Sequence, residues 1–89
     1  MLTPSLTLIG KPGCHLCDEA RDVVAQVVDG LAGDGVAVDV QERSILGDAD
    51  LEARWRDDIP VVLVGTALHD RWRVDAARLR ADLLAAAAR

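Results

Sequence analysis

Cys14 and Cys17 are the only two cysteines of the 89-residue chain, and Lys11 stands three positions ahead of the first. A pair at this spacing can hold a metal, staple a loop or exchange electrons through a disulfide. The thiolate is the species that attacks a disulfide or binds a metal, so the surroundings of each sulfur decide among these. After the pair, apolar residues recur at Leu16, Ala20, Val23, Val24, Val27, Val28 and Leu31. Steps of three and four predict one face of a helix from about Cys14 to Asp29. On that helix Cys17 falls within the apolar stripe, whereas Cys14 lies at the stripe's edge, on the first turn. Cys14 is therefore expected to be accessible and Cys17 to face a core. That asymmetry suits disulfide exchange, in which an accessible thiolate attacks and a shielded thiol one turn along resolves the mixed disulfide.

Three groups act on the charge of Cys14. The unpaired N–H groups of the helix start favour the thiolate, and so does the ammonium of Lys11. Asp18, four residues on, opposes both, because helical side chains lean toward the N-terminus and bring its carboxylate toward the Cys14 sulfur. A closed zinc site would need further ligands, and the candidates are His15 and His69. His15 points about 100° around the helix from Cys14, and His69 belongs to a predicted strand. The set converges poorly, and no metal is expected. Trp55 and Trp72 are the only aromatic residues, and in such a chain both are expected in the core. Asp57 and Asp58 are consecutive and face apart, so they read as a polar loop and not as an acid–base pair.

The elements that must position the pair are short. Ser5-Leu6-Thr7-Leu8-Ile9-Gly10 is an apolar run that reads as a buried strand leading directly into the cysteine motif. Gly30, Gly33 and Gly35 are expected to end the first helix. Val36-Ala37-Val38-Asp39-Val40 alternates like a half-buried or edge strand. A polar stretch with Ser44 and Gly47 leads to a short helix over roughly Ala49 to Arg56, before Pro60. Val61-Val62-Leu63-Val64 is a β-branched strand that Gly65-Thr66 turns back through Ala67 to Trp72. Asp75 can cap a last helix from Ala76, in which Leu79, Leu83 and Ala87 repeat every four residues. The order β-α-β-α-β-β-α predicts a parallel first pair of strands and an antiparallel last pair, in a four-stranded mixed sheet flanked by three helices. That is the order of a minimal thioredoxin fold, with residues 1–89 as one domain.

Two local runs carry a family resemblance. Lys11-Pro12-Gly13-Cys14-His15-Leu16-Cys17 resembles the glutaredoxin active-site run, and Asp58-Ile59-Pro60-Val61 resembles the loop bearing that family's cis-proline. Leu16-Cys17-Asp18-Glu19-Ala20 and Trp55-Arg56-Asp57-Asp58-Ile59-Pro60-Val61 are more closely similar to a group of small glutaredoxin-like proteins. The resemblance implies a thiol-disulfide oxidoreductase with Cys14 as nucleophile, Cys17 as resolving thiol and a Cys14–Cys17 redox disulfide. It implies a cis Pro60, with the Ile59 backbone presented to the substrate. Lys11, Pro12, Gly13 and His15 would line the same substrate site, with Lys11 meeting a glutathione carboxylate. The chain departs from the pattern at two places. Asp70-Arg71-Trp72-Arg73-Val74 occupies the region where glutathione-using members carry a Gly-Gly pair, and His15 replaces the usual aromatic.

Composition bounds the remaining choices. Hydrophobic residues make up 51% and charged residues 28%, with no Phe or Tyr. A core of Val, Leu, Ile and Ala follows. The net charge of -5 and the scattered cations argue against nucleic acid. No apolar run reaches the length of a membrane span, and Met1-Leu2-Thr3-Pro4-Ser5 has no signal-like character, so a cytoplasmic monomer is expected. Its expected partners are a disulfide-containing protein or small-molecule thiol substrate, with glutathione or a thioredoxin-type reductase as electron source and no bound cofactor. Two other readings stay open: an iron-sulfur cluster carrier of glutaredoxin type, and a redox-sensing interaction module without turnover.

Overall fold

The computed structural model describes residues 2–88. The strands are β1 (Ser5–Gly10), β2 (Asp39–Ser44), β3 (Val61–Val64) and β4 (Ala67–Arg71), and the helices are α1 (His15–Gly33), α2 (Ala49–Trp55) and α3 (Ala76–Ala87). The sheet order is β2-β1-β3-β4, with β1 parallel to β2 and antiparallel to β3, and β3 antiparallel to β4. This is the predicted element order.

Strands β1 and β3 lie inside the sheet and are covered on both faces, which is why their sequences read as nearly unbroken apolar runs. Alternate residues serve opposite layers. Leu6, Leu8 and Val62 pack with Ala20, Val24, Val27 and Leu31 of α1 and with Leu79 and Leu83 of α3. Ile9 and Val61 point the other way, joining Ile45, Leu51, Trp55, Ile59 and Leu63 on the α2 side. Trp55 is thus part of a core cluster, as expected.

Three boundaries differ from the sequence expectation. Helix α1 continues through Gly30 to Gly33, because Leu31 is fully buried and extends the apolar stripe by a turn. It ends in a Schellman motif: Gly35, at φ +83, donates to the Ala32 carbonyl, and Val36 donates to that of Leu31. The second strand is not Val36–Val40 but Asp39–Ser44, all six residues of which are exposed. Val36 and Val38 instead pack against the core ahead of the strand. The strand is defined by backbone pairing along β1, from Ser5 opposite Asp39 to Gly10 opposite Ser44, and its side chains carry no trace of it. Finally, β4 stops at Arg71, so Trp72 lies outside the hairpin.

The Gly65-Thr66 turn is as predicted, with Gly65 at φ +62 and Val64 opposite Ala67. A bulge follows, since Leu63 faces Leu68 while Val62 faces Asp70. It accommodates His69, whose buried ring meets the Asp82 carboxylate of α3 through Nδ1 at 2.5 Å.

Candidate active site

Strand β1 delivers the chain to the cysteine motif at Gly10. Lys11, Pro12 and Gly13 form an exposed turn, with Gly13 at φ +75. Cys14 does not sit on the first helical turn. It is the N-cap of α1, in extended backbone at φ -102 and ψ 113. Its Sγ accepts a hydrogen bond from the Cys17 N–H at 3.2 Å, the position a capping oxygen usually fills. The sulfur therefore meets both a free helical N–H and the positive end of the helix dipole, two influences that favour a thiolate.

The two cysteines differ in access. Cys14 is partly buried, not fully exposed, whereas Cys17 is 1% exposed. Their Cα atoms are 5.2 Å apart, with the sulfurs side by side, inside the range a disulfide spans. Gly10 supplies the space behind them: a Cβ there would lie 2.9 Å from the Cys17 Sγ.

Asp18 does not stand free beside Cys14. Its carboxylate accepts from Arg21 Nη1 at 2.8 Å, and Arg21 also donates to Glu42 of β2 through Nε at 2.8 Å and Nη2 at 2.5 Å. The Arg21 pKa is raised, first by the Glu42 hydrogen bond and then by that of Asp18. The negative charge expected to oppose the Cys14 thiolate is thus held in a three-membered network. Lys11 is exposed and borders a shallow groove with Pro12, Asp18, Arg21, Glu42 and Arg43. His15 is exposed at the start of α1. His69 lies against Asp82 and is not brought to the cysteines. Among the described residues, no three His, Cys, Asp or Glu side chains form a metal cluster.

The second predicted loop comes to the same end of the sheet. The Ile59–Pro60 peptide is cis. The register that pairs Ile9 with Val61 sets Pro60 alongside Gly10, and so alongside the residue that abuts Cys17. Among the described residues, neither the N–H nor the C=O of Ile59 has a hydrogen-bond partner. Asp58 is partly buried and accepts from Arg71 at 3.3 Å. Trp72, expected in the core, is 49% exposed next to this loop.

The model of the glutaredoxin-like domain (DUF836) matches residues 5–84. The chain belongs to that family. Uncharacterized proteins of Mycobacterium bovis and Mycobacterium tuberculosis are each 34% identical to it over 83 residues, covering 93% of this chain and 86% of the relative. A structural-genomics target protein from X. campestris, XcR50, superposes with a TM-score of 0.64 at 35% identity over 90% of this chain and 96% of its own. Chloroplastic thioredoxin z superposes with a TM-score of 0.71 at 17% identity, covering 98% of this chain and 80% of that one, a likeness of fold alone. The protein is a glutaredoxin-like member of the thioredoxin superfamily, with a Cys14–Cys17 pair near disulfide distance.

Of the residues that gather around the Cys14–Cys17 pair and the Pro60 loop, sequence reasoning missed Arg21, Glu42, Arg71 and the role of Gly10. The Asp18/Arg21 spacing of three on a helix was a usable signal. The Glu42 partnership was not, since it crosses from α1 to a strand whose position the side chains conceal.

Proposed function

We propose that the protein is a thiol-disulfide oxidoreductase working through the Cys14/Cys17 dithiol. The observation that carries this reading is the inequality of two adjacent sulfurs at one helix start: an accessible Cys14 that receives a helical N–H, and a buried Cys17 one turn behind it.

The reaction has two exchanges. The Cys14 thiolate attacks one sulfur of a substrate disulfide. The Cys14–substrate bond forms, the substrate S–S bond breaks, and the first substrate thiolate leaves and takes a proton. The Cys17 thiol then loses its proton and attacks the Cys14 sulfur. This forms the Cys14–Cys17 disulfide and expels the second substrate thiol. The substrate gains two electrons and the protein loses two. Two molecules of glutathione, leaving as their disulfide, or the dithiol of a thioredoxin-type reductase return them by the same steps reversed.

Other residues have supporting roles. The N–H and C=O of Ile59, unpartnered among the described residues and beside cis Pro60, hold the chain that bears the substrate disulfide. Lys11 attracts a carboxylate, that of glutathione included, while Pro12, Gly13 and His15 shape the approach to Cys14. We place the protein in the cytoplasm as a monomer, with no resident cofactor.

The test is a redox titration of the Cys14–Cys17 couple in the wild-type protein, with reduction by glutathione compared with reduction by a thioredoxin system. A reversible two-electron couple that passes electrons to a peptide disulfide is expected. A dithiol that fails to oxidise reversibly would overturn the reading.

A further inference from the structure

Trp72 is the one described residue other than glycine whose backbone is left-handed, at φ +65. That conformation is costly for any side chain with a Cβ and persists where surrounding contacts enforce it. Burial does not enforce it here, because the residue is 49% exposed. What holds it is the loop before Pro60. The Trp72 backbone N–H donates to the Pro60 carbonyl at 2.8 Å, and its indole Nε1–H donates to the Asp57 carbonyl at 3.2 Å. The preceding residue adds a third tie: Arg71 donates to Asp58 at 3.3 Å while its guanidinium stands over the Trp72 ring, 5.5 Å from the centroid.

The segment so gripped contains Ile59, whose N–H and C=O are unpartnered among the described residues. An extended polypeptide can take both groups at once, as one strand takes another. A low-molecular-weight disulfide without peptide groups cannot use them. We infer that Trp72 is a positioning residue: it fixes the Ile59–Pro60 backbone so that this backbone binds the extended polypeptide segment around a substrate disulfide. This inference rests on the oxidoreductase reading above, in which the Ile59 backbone takes the substrate chain, and adds the residue that holds that backbone in place.

Two variants separate the contributions. Trp72→Gly accepts the left-handed backbone but removes the ring, whereas Trp72→Phe keeps a ring and removes the indole N–H. For each, kcat and KM are measured with a peptide disulfide and with bis(2-hydroxyethyl) disulfide. The Cys14–Cys17 redox potential and the NMR backbone order of Asp57 to Ile59 are measured alongside. In Trp72→Gly, KM for the peptide is expected to rise about fivefold, the scale of one lost hydrogen bond. Its kcat and the redox potential should hold, and order at Asp57 to Ile59 should fall. Trp72→Phe loses the same hydrogen bond and should raise the peptide KM on the same scale, and it carries the test if Trp72→Gly does not fold.

Unchanged peptide KM and unchanged backbone order in a folded variant would overturn the inference. An equal rise in KM for both disulfides would show that Trp72 acts otherwise than through the Ile59 backbone, and would overturn the inference. A wild-type protein that reduces neither disulfide would defeat the oxidoreductase reading and the substrate half of the inference together. The backbone order would then still decide whether Trp72 holds the loop.

Discussion

Gly10 and Cys17 are in contact across the junction of β1 and α1. A Cβ on Gly10 would lie 2.9 Å from the Cys17 Sγ and 3.2 Å from its Cβ, closer than side chains tolerate. The glycine reads in sequence as the end of a strand, but its place is fixed by the absence of a side chain where the resolving sulfur packs. Cys17 has little room to yield, since it is fully enclosed and on the first turn of a helix that packs against the sheet. Gly10→Ala should therefore destabilise the protein by about 1–3 kcal/mol, the usual range for overpacking. It should also slow closure of the Cys14–Cys17 disulfide. Denaturant midpoints of the reduced protein and the rate of thiol loss under mild oxidant check both. An alanine variant as stable and as readily oxidised as wild type would count against the contact.

The unequal burial of the two sulfurs predicts unequal consequences of removing them. Cys14→Ser should abolish disulfide exchange, because the buried Cys17 cannot reach a substrate. Cys17→Ser should retain the first exchange and accumulate a mixed disulfide at Cys14, since no second thiol is left to resolve it. Intact-mass analysis after incubation with a peptide disulfide distinguishes the two. A mixed disulfide forming on Cys17 in the Cys14→Ser protein would reverse the assignment.

Asp75 caps α3, its carboxylate accepting from the Arg78 N–H at 3.0 Å. The helix places Leu79 and Leu83, both fully buried, against the main core. Asp75→Ala should cost about 1 kcal/mol, the typical value of an N-cap, whereas Leu79→Ala should cost about 2–5 kcal/mol by cavity formation. In a domain this small the second loss approaches the whole stability. Urea unfolding of the two variants should rank them in that order.

How well each part could be read from sequence follows from what its residues contact. β1, β3 and α3 were legible because their side chains are sorted by burial, and burial leaves a pattern in hydrophobicity. β2 was not, because an edge strand with six exposed residues is specified by the backbone of its neighbour. The offset of Cys14 and Cys17 was legible from helical phase. The left-handed backbone of Trp72 was not, because an aromatic residue there contradicts the local rule that would have marked a glycine. The fate of Asp18 lay between these: the helical neighbour Arg21 could be counted off, but Glu42 arrives from β2 and could not.

That network brings a cation and a second carboxylate into the charge balance next to the motif. Asp18 alone would disfavour the Cys14 thiolate. Arg21 holds Asp18 at 2.8 Å and Glu42 on its other side, so one cation stands between two carboxylates, and each charge adds its own effect at the sulfur. Asp18→Asn removes one negative charge and should lower the Cys14 pKa, whereas Arg21→Ala leaves two carboxylates unopposed and should raise it. With a higher pKa, less thiolate is present below that value, so Arg21→Ala should react more slowly with disulfides at neutral pH and recover as pH rises. All three residues are largely solvent-exposed, so added salt should shrink both shifts. Thiolate absorbance of the reduced Cys17→Ser background, titrated at low and high salt, measures them. A Cys14 pKa that both substitutions leave unchanged, or that Arg21→Ala lowers, would show that the network does not act on Cys14 in this way.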